Sequence, residues 1–195
     1  MNLAALLVAP LLLAGVHAAG LKSPRVVIKT SLGSIEVELD AKHAPNTTAN
    51  FLRYVDAGRY KGGRFHRTVT MQNQPDKKIK IEVIQGGVNP LYASKDYPAI
   101  KLERTNKTGI HHLNGTISMA RDGADTATSD FFICINDQPA LDFGGKRNPD
   151  GQGFAAFGHV IKGMDVLKKI QMAPSDNKTQ HLTPPITILS ITRAP

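Results

Sequence analysis

Several separate segments of this chain alternate apolar and polar residues with a period of two, which predicts β-strands with one buried and one wet face. In 34–39, Ile35, Val37 and Leu39 alternate with Ser34, Glu36 and Glu38. Together with 25–30 this segment predicts a hairpin turning at Ser31, Leu32 and Gly33. The period then changes. Phe51, Leu52, Tyr54 and Val55 recur at helical spacing, Pro45 suits a first helical turn, and Gly58 suits the position just past the end. Strand patterning returns at 60–69, where Arg67 stands between the apolar positions Phe65 and Val69 and should share their face. An inward arginine is costly unless it is paired or faces a cleft. The polar stretch 70–80 is a loop. A strand over 81–84 ends at Gln85-Gly86-Gly87, whose paired glycines allow a tight turn. Residues 89–109 are mostly loop, with a short strand near 100–102.

The segment 115–135 predicts strand, loop, strand. Alternation puts Ile117 and Met119 on one face, and Thr116, Ser118 and Ala120 on the other. Phe132 points opposite to Phe131 and Ile133. A large Phe132 beside a small Ala120 could wall an apolar pocket; taken alone, plain core packing is the simpler account. Further on, 137–153 is loop, 154–161 strand, 163–170 a short helix, 173–185 a polar linker and 185–191 a last strand. Many short strands with two brief helices predict one closed barrel or sandwich, without repeats or an internal domain boundary.

Composition narrows the function classes. The 195 residues fit one domain with a real core, and 41% hydrophobic content is ordinary for a globular protein. The formal net charge is +8, but the basic residues are scattered and little interleaved with aromatics. That argues for a solvated basic surface and against nucleic-acid binding. The one cysteine, Cys134, lies in an apolar run, so it predicts a buried inert thiol and no internal disulfide. His111 and His112 are adjacent, and in a strand they would face opposite ways; no HExxH or CxxC spacing occurs, so no metal or other cofactor is expected. No G-x-S-x-G elbow or phosphate-binding loop is present. Four N-x-[ST] sequons stand at Asn46, Asn106, Asn114 and Asn177. Residues 1–19 carry no Asp, Glu, Lys or Arg, and 3–16 form a short apolar run broken by Pro10 and Gly15. This is too short to span a bilayer comfortably, and small residues follow it. It predicts a signal peptide over 1–19, a periplasmic or secreted protein, and no stable membrane insertion once the segment is cleaved, with an uncleaved anchor as the alternative.

Several separated pieces carry a family resemblance: GSIEVELD (33–40), APNTTANFLRYVDAGRYKGGRFHR (44–67), VIQGG (83–87), GTISMAR (115–121), ATSDFFICI (127–135) and FAAFGHVIKGMDVLKKI (154–170). In order, spacing and rare elements the chain resembles the cyclophilins, the peptidyl-prolyl cis-trans isomerases, and looks like an exported bacterial-type member. The resemblance implies a closed eight-stranded antiparallel β-barrel capped by two α-helices, spanning a domain at 24–195. It implies acceleration of X–Pro bond rotation without a cofactor, on proline-containing peptides and folding proteins, by a monomer. It makes Arg67 the catalytic residue. Substrate contacts fall to Phe65, His66, Val83, Gln85, Ala120, Arg121, Phe132, Leu141 and Phe154. Two departures bear on activity. Glu82 falls where the family often has Phe in a pocket wall, and Asp130 replaces the usual Gln before the paired phenylalanines; if Asp130 approaches Arg67, it would orient it and also offset its charge. They raise an alternative, a proline-peptide-binding chaperone module with weak or lost isomerase activity.

Overall fold

The computed structural model describes residues 23–195, so the expected signal segment lies outside the described residues. Eight antiparallel strands close on themselves: β1 (Arg25–Thr30), β2 (Gly33–Leu39), β3 (Gly63–Val69), β4 (Val83–Gly87), β5 (Thr116–Met119), β6 (Phe131–Cys134), β7 (Ala155–Lys162) and β8 (His181–Arg193). Their order around the barrel is β1-β2-β7-β5-β6-β4-β3-β8, and β8 returns to β1. Closure leaves no unpaired sheet edge. Helix α1 (Pro45–Asp56) and helix α3 (Met164–Gln171) pack against the barrel, and a single turn α2 (Thr105–Thr108) lies between them in sequence.

The interior is aromatic at its centre. Phe131 meets Phe51, Tyr60 and Phe65 edge-on, with ring centroids 5.6, 5.6 and 5.8 Å apart. This edge-to-face geometry suits the ring quadrupoles. The apolar stripe of α1 is buried against this cluster, as its spacing predicts. The N-cap residue Ala44 offers no side-chain acceptor, so the first turn needs one from elsewhere. Glu103 supplies it: its carboxylate accepts from Asn46 N (3.1 Å), Thr47 N (2.8 Å) and Thr47 Oγ1 (2.6 Å). A negative charge at this end also suits the helix dipole.

Three local expectations are revised. A register shift in β3 between Phe65 and Arg67 breaks the alternation. Phe65 therefore points into the barrel, while Arg67 faces outward on the side of Val69. The Gly86-Gly87 pair makes no turn; it lies inside β4. A Cβ on Gly86 would come within 2.9 Å of Phe65 Cδ1, and one on Gly87 within 2.0 Å of Asp130 Oδ1. Their role is close approach. The last strand begins at His181, not at 185, because this prolonged end pairs His181 with Arg67 despite Pro184 and Pro185.

Candidate functional site

Outward-facing residues of β3, β4 and β6, with Ala120 and Arg121 just past the end of β5, line a cleft of about 690 Å³ on the barrel's outer face. Its apolar part is a second, smaller core: Val69, Ile81, Val83, Phe132, Cys134 and Leu141, with Ala120, Ala140 and Phe154 packed against it. Phe132 is held from two sides. The Phe154 ring stands nearly perpendicular to it at 5.2 Å, and the His112 ring is stacked on it at 5.9 Å. His112 is fully buried, with Nδ1 2.6 Å from Asp142 Oδ1 and Nε2 3.0 Å from Ser118 Oγ. His111 and His112 are outside any strand, and both reach Asp142: His111 Nδ1 is 2.8 Å from Oδ2. Two neighbours expected to diverge thus converge on one carboxylate. Burial alone would raise that carboxyl, but the histidine hydrogen bonds outweigh it and hold Asp142 below its ordinary range. Cys134 is buried and free, and burial pushes its thiol up, away from nucleophile chemistry.

Arg67 stands at the polar edge of this apolar floor. Its Nε (3.1 Å) and Nη2 (2.5 Å) donate to Gln180 Oε1, and its Nη1 (3.2 Å) donates to Gln85 Oε1. Three of the five guanidinium N–H groups are therefore anchored, leaving one on each Nη for a ligand. Gln180 is itself fixed: Nε2 donates to Asn73 O (2.9 Å), and Thr68 N donates to its backbone carbonyl (3.0 Å). Its φ of 64° is unusual for a residue with a side chain. Asn73 belongs to the polar loop 70–80, which binds itself tightly, with Gln74 bridging Thr70 O and Ile81 O at 2.7 Å each.

The sequence-derived residues divide cleanly. His66, Arg67, Val83, Gln85, Ala120, Arg121, Phe132, Leu141, Phe154 and Asp130 all line the cleft. Phe65 does not; it is fully buried in the barrel, because of the bulge in β3. Glu82 is not on the pocket wall either. Its carboxylate accepts from Asn136 Nδ2 (2.8 Å) and Gln171 Nε2 (3.2 Å) along a different groove, and Ile81 takes the wall position. The Arg121 side chain is committed to Gly153 O (2.6 Å from Nη2) and to Asp150 (2.8 Å from Nη1), with its guanidinium 5.0 Å from the Phe154 ring centroid. Asp130 Oδ2 accepts from Gln85 Nε2 at 3.2 Å and lies 3.6 Å from His66 Nε2. Burial pushes the Asp130 carboxyl up, with His66 and Gln85 pulling it partly back, and burial pushes the His66 imidazole down. Gln180, Ile81 and Arg147 carry no pattern that marks them for this site, and His112 stands out in the sequence only as half of the His111-His112 pair. Among the described residues, no group of three His, Cys, Asp or Glu side chains could hold a metal ion, and no helix is long and apolar enough to cross a membrane.

An arginine donor beside an apolar pocket, on the wall of a closed eight-stranded barrel, defines a class that sequence comparison also identifies. The model of the cyclophilin type peptidyl-prolyl cis-trans isomerase family matches residues 25–193, and the chain belongs to that family. It is 39% identical to peptidyl-prolyl cis-trans isomerase A of Dickeya dadantii, over 80% of this chain and 75% of that protein. It is 35% identical to a peptidyl-prolyl cis-trans isomerase of Acinetobacter baylyi, over 92% of this chain and 89% of the relative. A crystal structure of a Cryptosporidium parvum cyclophilin type isomerase superposes with a TM-score of 0.71 at 25% identity, covering 89% of this chain and 98% of that one. A second structure of the same parasite protein, determined in the presence of the dipeptide Ala-Pro, superposes with a TM-score of 0.70.

Proposed function

We propose that this protein is a peptidyl-prolyl cis-trans isomerase that binds a substrate proline over Phe132 and uses Arg67 on the twisted imide. The observation that carries the reading is the anchored Arg67 guanidinium, with two N–H groups left beside an apolar floor. Amide resonance creates the barrier of about 18–20 kcal/mol. Twisting the C–N bond removes that resonance and leaves a lone pair on the imide nitrogen. A permanently charged donor stabilises this lone pair more than the planar ground state. No covalent step is needed. A hydrogen bond to a charged group contributes about 1.5–3 kcal/mol, which corresponds to about one to two decades in rate. The apolar floor supplies the remainder by holding the ring while the chain rotates about it.

The test is isomerisation of a proline peptide, followed by exchange NMR, for the wild type and Arg67→Ala. Acceleration by the wild type and a loss of about 10- to 100-fold in the variant is expected. Absence of acceleration, or an unchanged rate in the variant, sinks the reading. The chaperone alternative, motivated by Asp130 in place of the usual Gln, would give peptide binding without acceleration. Residues 1–19 are proposed to direct export to the periplasm or outside the cell. The N-terminal sequence of the mature protein tests that, and retention of Met1 in an intact chain counts against it.

A further inference from the structure

Arg147 lines the same cleft as Arg67. Its backbone N donates to Ala140 O at 3.1 Å, and its Nη1 donates to Ile79 O at 2.7 Å. These bonds tie it to the segments just before Ile81 and Leu141 and use one of its five side-chain N–H groups. Among the described residues, no carboxylate oxygen lies within 4.0 Å of a nitrogen of either Arg67 or Arg147. Two half-buried guanidiniums therefore share one concave wall without a counterion. Like charges so placed repel each other and favour an anionic ligand. Burial, followed by the Arg147 charge, pulls the Arg67 guanidinium below its ordinary value, as expected for two cations in one field. The same cleft is also lined by Asp96, Asp122 and Asp130, and Asp130 reaches Arg67 only through Gln85.

Building on the isomerase reading, we propose that Arg147 forms, with Arg67, an anion subsite that selects substrates bearing a carboxylate next to the proline. The carboxylate belongs to a flanking Asp or Glu, or to a chain end at the proline itself. Arg147 is a specificity-determining residue: its free donors reach the ligand's carboxylate, and its charge makes the subsite reject a lysine at the same place.

The experiment uses acetylated, amidated peptides identical except for Glu, Gln or Lys before or after the proline, plus one ending in Pro with a free carboxylate. Exchange NMR reads both binding and isomerisation. In the wild type, at one of the two positions, Glu should exceed Gln by about fivefold to tenfold in kcat/KM at low salt, with Lys lowest. Half-molar salt should shrink the preference to about twofold or less. Arg147→Gln should bring the ratio of Glu to Gln near one, and Arg147→Lys should keep part of it. Preference confined to the free-carboxylate peptide supports the subsite and identifies the chain end as its source. Equal use of Glu and Gln peptides by the wild type, together with no gain from the free carboxylate, overturns the subsite alone. So does a preference unchanged in Arg147→Gln. Failure of every peptide to bind overturns the isomerase reading as well. If Arg147→Gln does not fold, the salt series on the wild type decides: a preference insensitive to salt overturns the proposal.

Discussion

Asp130 acts on Arg67 without touching it. Between them stands Gln85, whose Nε2 donates to Asp130 Oδ2 and whose Oε1 accepts from Arg67 Nη1, both at 3.2 Å. A carboxylate can only accept and a guanidinium can only donate, so the amide has one orientation that satisfies both. The unusual Asp130 therefore orients the arginine's partner and is one side chain removed from cancelling its charge.

Removing that carboxylate should lower activity. Asp130→Ala frees the Gln85 amide to rotate, and kcat should fall by about threefold to tenfold with KM little changed. Steady-state kinetics on a neutral proline peptide check it. An increase in kcat in Asp130→Ala or Asp130→Gln would mean instead that the charge suppresses catalysis.

Gln180 should matter although it lies outside every recognisable motif. It holds Nε and Nη2 of Arg67, and Asn73 O holds it in turn. Gln180→Ala should reduce kcat by about tenfold, while Gln180→Asn, too short to span both partners, should recover little. Melting curves taken alongside separate this loss from unfolding.

The contact between Gly87 and Asp130 leaves no space for a methyl group, since a Cβ would stand 2.0 Å from Oδ1. Gly87→Ala should destabilise the fold by about 1–3 kcal/mol. In an Asp130→Ala background the same change should cost about half as much or less, a coupling that a double-mutant cycle in urea measures.

Asp142 makes the floor acid-sensitive. Its folded carboxyl sits below the ordinary range because the hydrogen bonds of His112 and His111 outweigh the effect of burial. A depressed carboxylate contributes stability that is fully present above about pH 4, its unfolded value, and that is lost as pH falls through the lower folded value. Asp142→Asn should cost about 1–3 kcal/mol at neutral pH and flatten the acid limb of the stability curve. Urea midpoints from pH 3 to 7 test the sign; an unaltered acid limb would show that another group controls it.

The order of elements, the hairpin, the stripe of α1 and the opposed faces of Phe131 and Phe132 were all legible in the chain, because they depend on periods of 2 and 3.6 within a few residues. The resemblance in FHR, QGG and the paired phenylalanines marked most of the cleft, because those motifs lie on β3, β4 and β6, which are neighbours around the barrel. What sequence could not supply depends on phase shifts and on partners brought in from far along the chain. One bulge in β3 turns Phe65 inward and Arg67 outward, which strict alternation puts together. Gln180 reaches Arg67, and Glu103 caps α1, from loops whose local pattern carries no hint of either contact. Glu82 leaves the pocket wall to Ile81 because the strand pairing, not the residue type, decides which side chain faces the cleft. Local periodicity determined which segments pair into the barrel; only the closed barrel decided which of their side chains surround the guanidinium.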